Sequence, residues 1–282
     1  MISKILRNKK NPAEDPLQEK LLTLGHNLAG YDDLAVAFSG GVDSTFLLLY
    51  AKKVLGEKVL AVSAVAPNFA PDELEYAKKL CEEKNIRHLM VNLGPEFLSG
   101  FSHNPEDRCY ICKKSIFSKL KNTADIMGYP VIADGTHSDD LADYRPGQQA
   151  LYELGIISPL KDAGFSKNDI RLALRAMNID IWEKPAFACL ASRIPYGEEI
   201  TVKKLESVYA AESALKDLGF SQVRVRHHGD VARIEVLPQD RHLFFSEKFM
   251  DYVDKAVKDA GFRYAALDLK GYSMGNLNKA KK

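Results

Sequence analysis

The stretch LAVAFSGGVDS, Leu34 to Ser44, decides the fold. Its first half, Leu34 to Phe38, is a short apolar run and reads as a buried strand. Its second half, Ser39-Gly40-Gly41-Val42-Asp43-Ser44, is a turn, and Ser44 to Val54 beyond it reads as an apolar helix. Paired glycines let the backbone take conformations closed to other residues. Placed between a strand and a helix, such a loop lines an anion pocket with main-chain N–H groups, and the helix start adds positive potential. Ser39 and Ser44 supply hydroxyl donors. Asp43 is a poor partner for bare phosphate and makes sense with Mg2+ between its carboxylate and the phosphates. The plain alternative is a tight turn with a capping Ser or Asp; the full string in its strand–loop–helix setting favours phosphate. No G-x-x-x-x-G-K-[ST] string occurs, so the loop is not of the Walker kind.

Outward from the loop, strands and helices alternate. An amphipathic helix is expected over Pro16 to Leu28, strands over Lys58 to Ala64, Ile86 to Leu93 and Tyr129 to Gly135, and helices over Pro71 to Lys84, Cys109 to Asp125 and Ser166 to Met177. Ile156 to Leu160 reads as a fifth element of the sheet. Apolar strands alternating with helices predict a doubly wound parallel sheet, an α/β fold covered on both faces. Gly94 to Arg108 is a long irregular stretch of the sort that often carries function. After Cys189 the pattern changes. Arg193 to Thr201 reads as a linker. A helix (Val202 to Leu218), two strands joined at His228-Gly229-Asp230, a helix (Glu247 to Ala260) and a strand (Tyr264 to Leu269) form a smaller α+β domain. The boundary is set near Pro195, giving domains 1–195 and 196–282.

Lys and Arg (39) nearly balance Asp and Glu (38), so nothing global points to nucleic acid. No apolar run approaches a membrane span, and the opening MISKILRNKKNPAEDP lacks the apolar stretch of a signal peptide, so a cytoplasmic location is expected. Disulfides are not expected there. Among the four cysteines, Cys81 sits on the apolar face of a helix and reads as a core thiol. Cys109 and Cys112 in RCYICKK have C-x-x-C spacing at a helix entrance, beside Arg108, Lys113 and Lys114. A redox disulfide, half a zinc site and part of an iron–sulfur site all fit that spacing. Cys189, in PAFACLASR, lies outside any clear helix or strand. Three cysteines suit a [4Fe–4S] cluster with one iron open; alternatively Cys189 is itself the sulfur donor.

The loop resembles that of the PP-loop ATP pyrophosphatases, of the adenine nucleotide alpha hydrolase-like fold. That resemblance implies ATP cleaved between the α and β phosphates, pyrophosphate at Ser39, Gly40, Gly41, Asp43 and Ser44, and adenine around Ala61 to Ser63. From Leu17 to Gly271 the sequence is similar to the LarE sulfur transferases, on the strength of SGGVDS, RCYICK, DGTHSDDLADYRPG, PAFACLASRIPYG and VRVRHHGDVARIEV. This implies an ATP-dependent enzyme that adenylates the carboxylates of pyridinium-3,5-biscarboxylic acid mononucleotide and converts them to thiocarboxylates for the nickel-pincer nucleotide. It implies ATP and Mg2+ as cofactors, a small-molecule partner, no nucleic acid and a homo-oligomer, with the C-terminal domain serving substrate binding or oligomerisation. Sulfur would travel on a [4Fe–4S] cluster held by Cys109, Cys112 and Cys189, or come from Cys189 itself. Arg224 and Arg226, two apart on a strand, face one side and suit the mononucleotide's phosphate or carboxylate, with Glu235 steadying them; a solvated strand face is the plain alternative. Asp134, Asp139, Asp140, Asp143 and Arg145 are candidates to orient ATP, metal or substrate, some of them as helix caps. His227, His228 and Trp182 read as structural. A tRNA-thiolating enzyme of the same superfamily is the main rival. An ammonia-using synthetase would explain SGGVDS without the three cysteines, and a regulator without turnover would release no pyrophosphate.

Overall fold

The computed structural model describes residues 16–142, 146–184 and 189–273. It divides into two units. The first takes Met1–Val65, Pro71–Leu93 and Cys109–Phe187; the second takes Ala66–Ala70, Gly94–Arg108 and Ala188–Lys282. The division differs from the expected 1–195 and 196–282 split. It falls before Cys189, and two short segments from the first half of the chain pack with the second unit. Sequence order alone hides such an exchange, because the segments carry no composition shift.

The first unit runs α1 (Pro16–Ala29), β1 (Leu34–Ala37), α2 (Val42–Leu55), β2 (Val59–Val65), α3 (Pro71–Glu83), β3 (Arg87–Asn92), α4 (Arg108–Ile126), β4 (Val131–Ala133), α5 (Pro146–Glu153), α6 (Pro159–Asp162) and α7 (Lys167–Ala176). Its sheet has the order β3-β2-β1-β4, with parallel pairing at each step. The expected doubly wound parallel sheet is therefore present. β1 and β2 are central and buried, as their uninterrupted apolar sequence requires. β3 is an edge strand and mostly half-buried or exposed, so it departs from the expected coverage on both faces. The fifth element shrinks to one parallel bridge between Ala133 and Ile157. Pro159 ends it: proline has no N–H to give a ladder, and it suits the first turn of α6 instead. Phe46, Leu47 and Leu48 of α2 and Leu34 and Val36 of β1 lie in the core with Phe165, whose ring stands 5.3 Å from that of Phe46. α7 starts with a capping box, Ser166 and Asp169 each bonding the other's main-chain N–H.

The second unit holds α8 (Val202–Asp217), β5 (Val223–His228), β6 (Val231–Val236), α9 (Glu247–Asp259) and β7 (Tyr264–Leu267). β5 pairs antiparallel with β6, and β6 parallel with β7. Phe97, Leu98 and Phe101 make the supposedly irregular stretch after Gly94 a buried helical turn over Pro95–Phe101. No helix among the described residues is long and apolar enough to cross a membrane.

Candidate active site

In the first unit the glycine loop is folded on its own hydroxyls. Ser39 Oγ accepts the Gly41 N–H at 3.3 Å and lies 3.1 Å from Ser44 Oγ. Ser44 Oγ accepts the Ser39 N–H at 3.3 Å and donates to the Gly41 carbonyl at 3.2 Å. Gly40 has φ of 72°, and a Cβ there would stand 2.3 Å from the Glu73 carbonyl oxygen, so no other residue fits. A Cβ on Gly135, past the end of β4, would stand 2.9 Å from the Ser44 nitrogen. No side chain caps α2 at Gly41, so the positive end of that helix is turned to the loop.

Two cations missed in the sequence stand at this loop. Lys167, the first residue of α7, puts Nζ 2.6 and 2.7 Å from the two Asp43 carboxylate oxygens. Its main-chain N–H donates to Asp139 Oδ2 at 2.8 Å. Lys184 Nζ lies 3.4 Å from the Gly40 carbonyl oxygen and 3.5 Å from Glu73 Oε1. Lys167 is 124 positions from Asp43 and Lys184 is 144 from Gly40, and no local pattern announces either lysine.

The aspartates after β4 are mostly builders. Asp134 accepts from Ser158 Oγ at 2.6 Å and from Thr136 Oγ1. Asp140 accepts the His137 N–H at 3.2 Å. Asp143 and Arg145 lie outside the described residues. Ala61 has no exposed surface and packs in the core, and Ser63 is 1% exposed, its hydroxyl donating to the Phe38 carbonyl at 2.5 Å. The side chains of these two residues thus form the sheet interior, and the open end of β2 lies beyond Ser63.

None of the four cysteines is in a disulfide. Cys109 is exposed and Cys112 half-buried in the first turns of α4, where residues three apart share a side. That turn is tied to α5: the Tyr110 hydroxyl and Lys114 Nζ each donate to Glu153 Oε2 at 2.7 Å. The Lys114 ammonium, with Tyr110, holds the Glu153 carboxyl down to about 2. Burial pushes the Cys81 thiol up to about 12, as a core thiol should behave. Trp182 packs against the core, as expected.

In the second unit, Cys189 is half-buried and opens a short helical turn, Leu190–Arg193. Asn68 Nδ2 donates to its sulfur at 3.1 Å. Arg193, fully buried, forms a two-pronged pair with Glu212, at 2.8 Å on each prong, and donates to the Cys189 carbonyl at 3.1 Å. Glu212 Oε1 also accepts the Val225 N–H at 2.9 Å. Removing one partner of a buried ion pair leaves the other charge stranded. Glu212→Ala is expected to destabilise the protein by about 3–5 kcal/mol, read as a fall in the denaturant midpoint; a loss under about 1 kcal/mol, the scale of an exposed pair, would refute that role.

Arg224 and Arg226 are not a solvated face: they are 4% and 6% exposed. Arg226 pairs with Glu235 Oε2 at 2.8 Å and donates to the Ser192 carbonyl at 2.9 Å. Its Nε is buried with no hydrogen-bond partner among the described residues. Glu235, fully buried, also meets Arg233 at 3.0 Å, and Arg233 pairs with Asp268. Arg224 stacks over Tyr272 at 5.5 Å, and burial, with Arg193 nearby, lowers its guanidinium from the ordinary range. The cluster sets Arg193, Arg224, Arg226 and Arg233 against Glu212, Glu235 and Asp268, an excess of positive charge that suits an anion. His227 is buried beside the Phe262 ring, and burial lowers its pKa; His228 takes the Arg233 Nε at 3.2 Å. Among the described residues no three His, Cys, Asp or Glu side chains form a metal-holding group.

The model of the queuosine biosynthesis protein QueC family matches residues 34–105, the segment with the loop and the first strands. The glutamine-hydrolyzing GMP synthase of Aeropyrum pernix is 28% identical over 66% of this chain and 40% of its own length. With the parallel sheet and the glycine loop, these matches define a PP-loop ATP pyrophosphatase fold. The pyridinium-3,5-bisthiocarboxylic acid mononucleotide synthase of Lactiplantibacillus plantarum is 39% identical over 93% of this chain and 95% of its own, and an uncharacterized protein of Synechocystis sp. is 41% identical over 93% and 98%. The chain belongs to the LarE family of enzymes.

Proposed function

We propose that the protein is an ATP-dependent sulfurtransferase that adenylates the carboxylates of pyridinium-3,5-biscarboxylic acid mononucleotide and replaces each with a thiocarboxylate. The observation that carries this reading is the pairing, in one chain, of a phosphate loop with Asp43 at its mouth and a cysteine turn lined by buried arginines. The full-length similarity to the Lactiplantibacillus plantarum synthase supports the substrate.

A carboxylate oxygen is a poor leaving group and AMP a good one. In the first step the substrate carboxylate attacks the α-phosphorus of ATP and pyrophosphate leaves. Ser39, Gly40, Gly41, Ser44 and the start of α2 aim donors where pyrophosphate charge builds. The adenine sits at the open end of β2, beyond Ala61 and Ser63. Asp43 fits as the Mg2+ ligand, since its carboxylate faces the cation already there; Mg2+, when bound, supplies charge to the phosphates. Lys167 is then released toward the phosphates. Arg224 and Arg226 hold the mononucleotide's anionic group, with Arg226 Nε as the waiting donor and Glu235 fixing its partner nitrogen.

In the second step sulfur attacks the activated acyl carbon and AMP leaves. Cys109, Cys112 and Cys189 are soft donors of the kind a [4Fe–4S] cluster takes, and such a cluster, when bound, supplies an iron with an open position for sulfide. A second reading, in which Cys189 gives up its own sulfur, is favoured by the polar surroundings that Cys189 has independently of the other two thiols. Anaerobic reconstitution decides between them. The cluster form predicts a brown protein with about four irons and four sulfides per chain, lost in Cys112→Ala. Colourless protein, with Cys189 one sulfur lighter by mass after a turnover with ATP, would establish the sacrificial form instead. Binding of tRNA at moderate salt, without binding of the pyridinium mononucleotide, would overturn both in favour of a tRNA-thiolating enzyme.

A further inference from the structure

The turn that carries Cys189 is gripped from outside. The Cys189 carbonyl accepts from Arg193 Nη1 at 3.1 Å, the Ala191 carbonyl from Arg108 Nη1 at 3.0 Å, and the Ser192 carbonyl from Arg226 Nη1 at 2.9 Å. The Leu190 N–H donates to the Asn68 carbonyl at 3.0 Å. These contacts fix the main chain of the turn. They do not fix the sulfur, which can still rotate about Cα–Cβ among staggered positions.

Asn68 supplies that last constraint. It has no exposed surface, and its side-chain Nδ2 donates to Cys189 Sγ at 3.1 Å. We propose that Asn68 is a positioning residue for sulfur transfer, its amide N–H fixing the direction in which the Cys189 sulfur points. The inference rests on the reading that Cys189 delivers or ligates the transferred sulfur. A buried amide is costly unless its N–H groups are bonded, so the contact is one the fold depends on. Asn68 also meets two consecutive residues of the turn, the sulfur of Cys189 through its side chain and the N–H of Leu190 through its carbonyl. That two-point contact sets the side chain in register with the sulfur. A neutral donor orients the sulfur without neutralising it, as a lysine or arginine would. It leaves the remaining lone pairs of sulfur for an iron or an acyl carbon.

The test compares Asn68→Asp with the wild type in the full-length chain. Aspartate has the shape of asparagine, but it removes the donor and sets an anion beside the sulfur. Iodoacetamide labelling at one near-neutral pH, read by peptide mass spectrometry, should show Cys189 slowed at least about tenfold while Cys109 in the same sample is unchanged. Equal slowing of both thiols, or no slowing of Cys189, overturns the role. Should Asn68→Asp not fold, the wild type still decides. In nitrogen-15 asparagine spectra the Asn68 side-chain signals should move when Cys189 is alkylated; signals indifferent to the state of Cys189 overturn the proposal. The two readings fail separately. Unaltered labelling refutes the role of Asn68 alone, whereas full sulfur transfer by Cys189→Ala refutes the role of Cys189 and leaves the N–H···S contact standing.

Discussion

Cys189→Ala is expected to lose thiocarboxylate formation by at least about 10^3-fold while AMP and pyrophosphate release continues. The two halves of that outcome come from different residues. Activation of the carboxylate relies on the glycine loop, Asp43 and Lys167, all in the first unit. Delivery of sulfur relies on Cys189, in the second. Whether the thiol ligates iron or is consumed, alanine removes the atom that the turn presents. The acyl adenylate still forms and is lost to water, so nucleotide turnover becomes uncoupled from product. The measurement is paired: pyrophosphate release by a coupled assay, and thiocarboxylate by mass spectrometry of the small-molecule fraction. Undiminished product formation would mean that Cys189 is a bystander. The chain would then be better read as a synthetase using ammonia.

Asp43→Ala should have the opposite signature. AMP formation is expected to fall about 10^2- to 10^3-fold, the usual cost of losing one stabiliser of developing charge, with iron content after reconstitution unchanged. The reason lies in the 2.6 and 2.7 Å contacts from Lys167 to both carboxylate oxygens. A carboxylate held that closely by a cation occupies a place where positive charge is stable, and a divalent ion bridging to phosphate can take over that place. The variant should also flatten the Mg2+ dependence of nucleotide cleavage. If AMP formation keeps its ordinary Mg2+ response without Asp43, the metal is held elsewhere. The candidate aspartates after β4 would then need to be reconsidered.

Much of the first unit is legible because it is written locally. The apolar run before Ser39, the paired glycines and the helix after them each follow from a few adjacent residues, and the parallel sheet follows from their repetition. Ser166 can be identified as a cap because capping acts over three residues. What the sequence hides is non-local. Lys167 meets Asp43 across 124 positions, and Asn68 meets Cys189 across 121. Arg193 lies inside a motif that stands out on its own, yet its partner Glu212 sits on the buried side of α8 and reads as an ordinary helix charge. The fifth strand falls short of its apolar composition because Pro159 overrides it. Arg224 and Arg226 do share one strand, but their burial depends on the carboxylates facing them from β6 and α8, which spacing alone does not reveal.

The grip on the Cys189 turn falls on main-chain oxygens, which every amino acid possesses. The shape of the turn is therefore stored in residues far from it, Arg108 and Arg226 among them, more than in the letters CLAS themselves. A short peptide copied from this region into another scaffold would carry the thiol but leave its geometry behind. To transplant the reactive sulfur, one would have to move the surrounding guanidiniums and their carboxylate anchors as well.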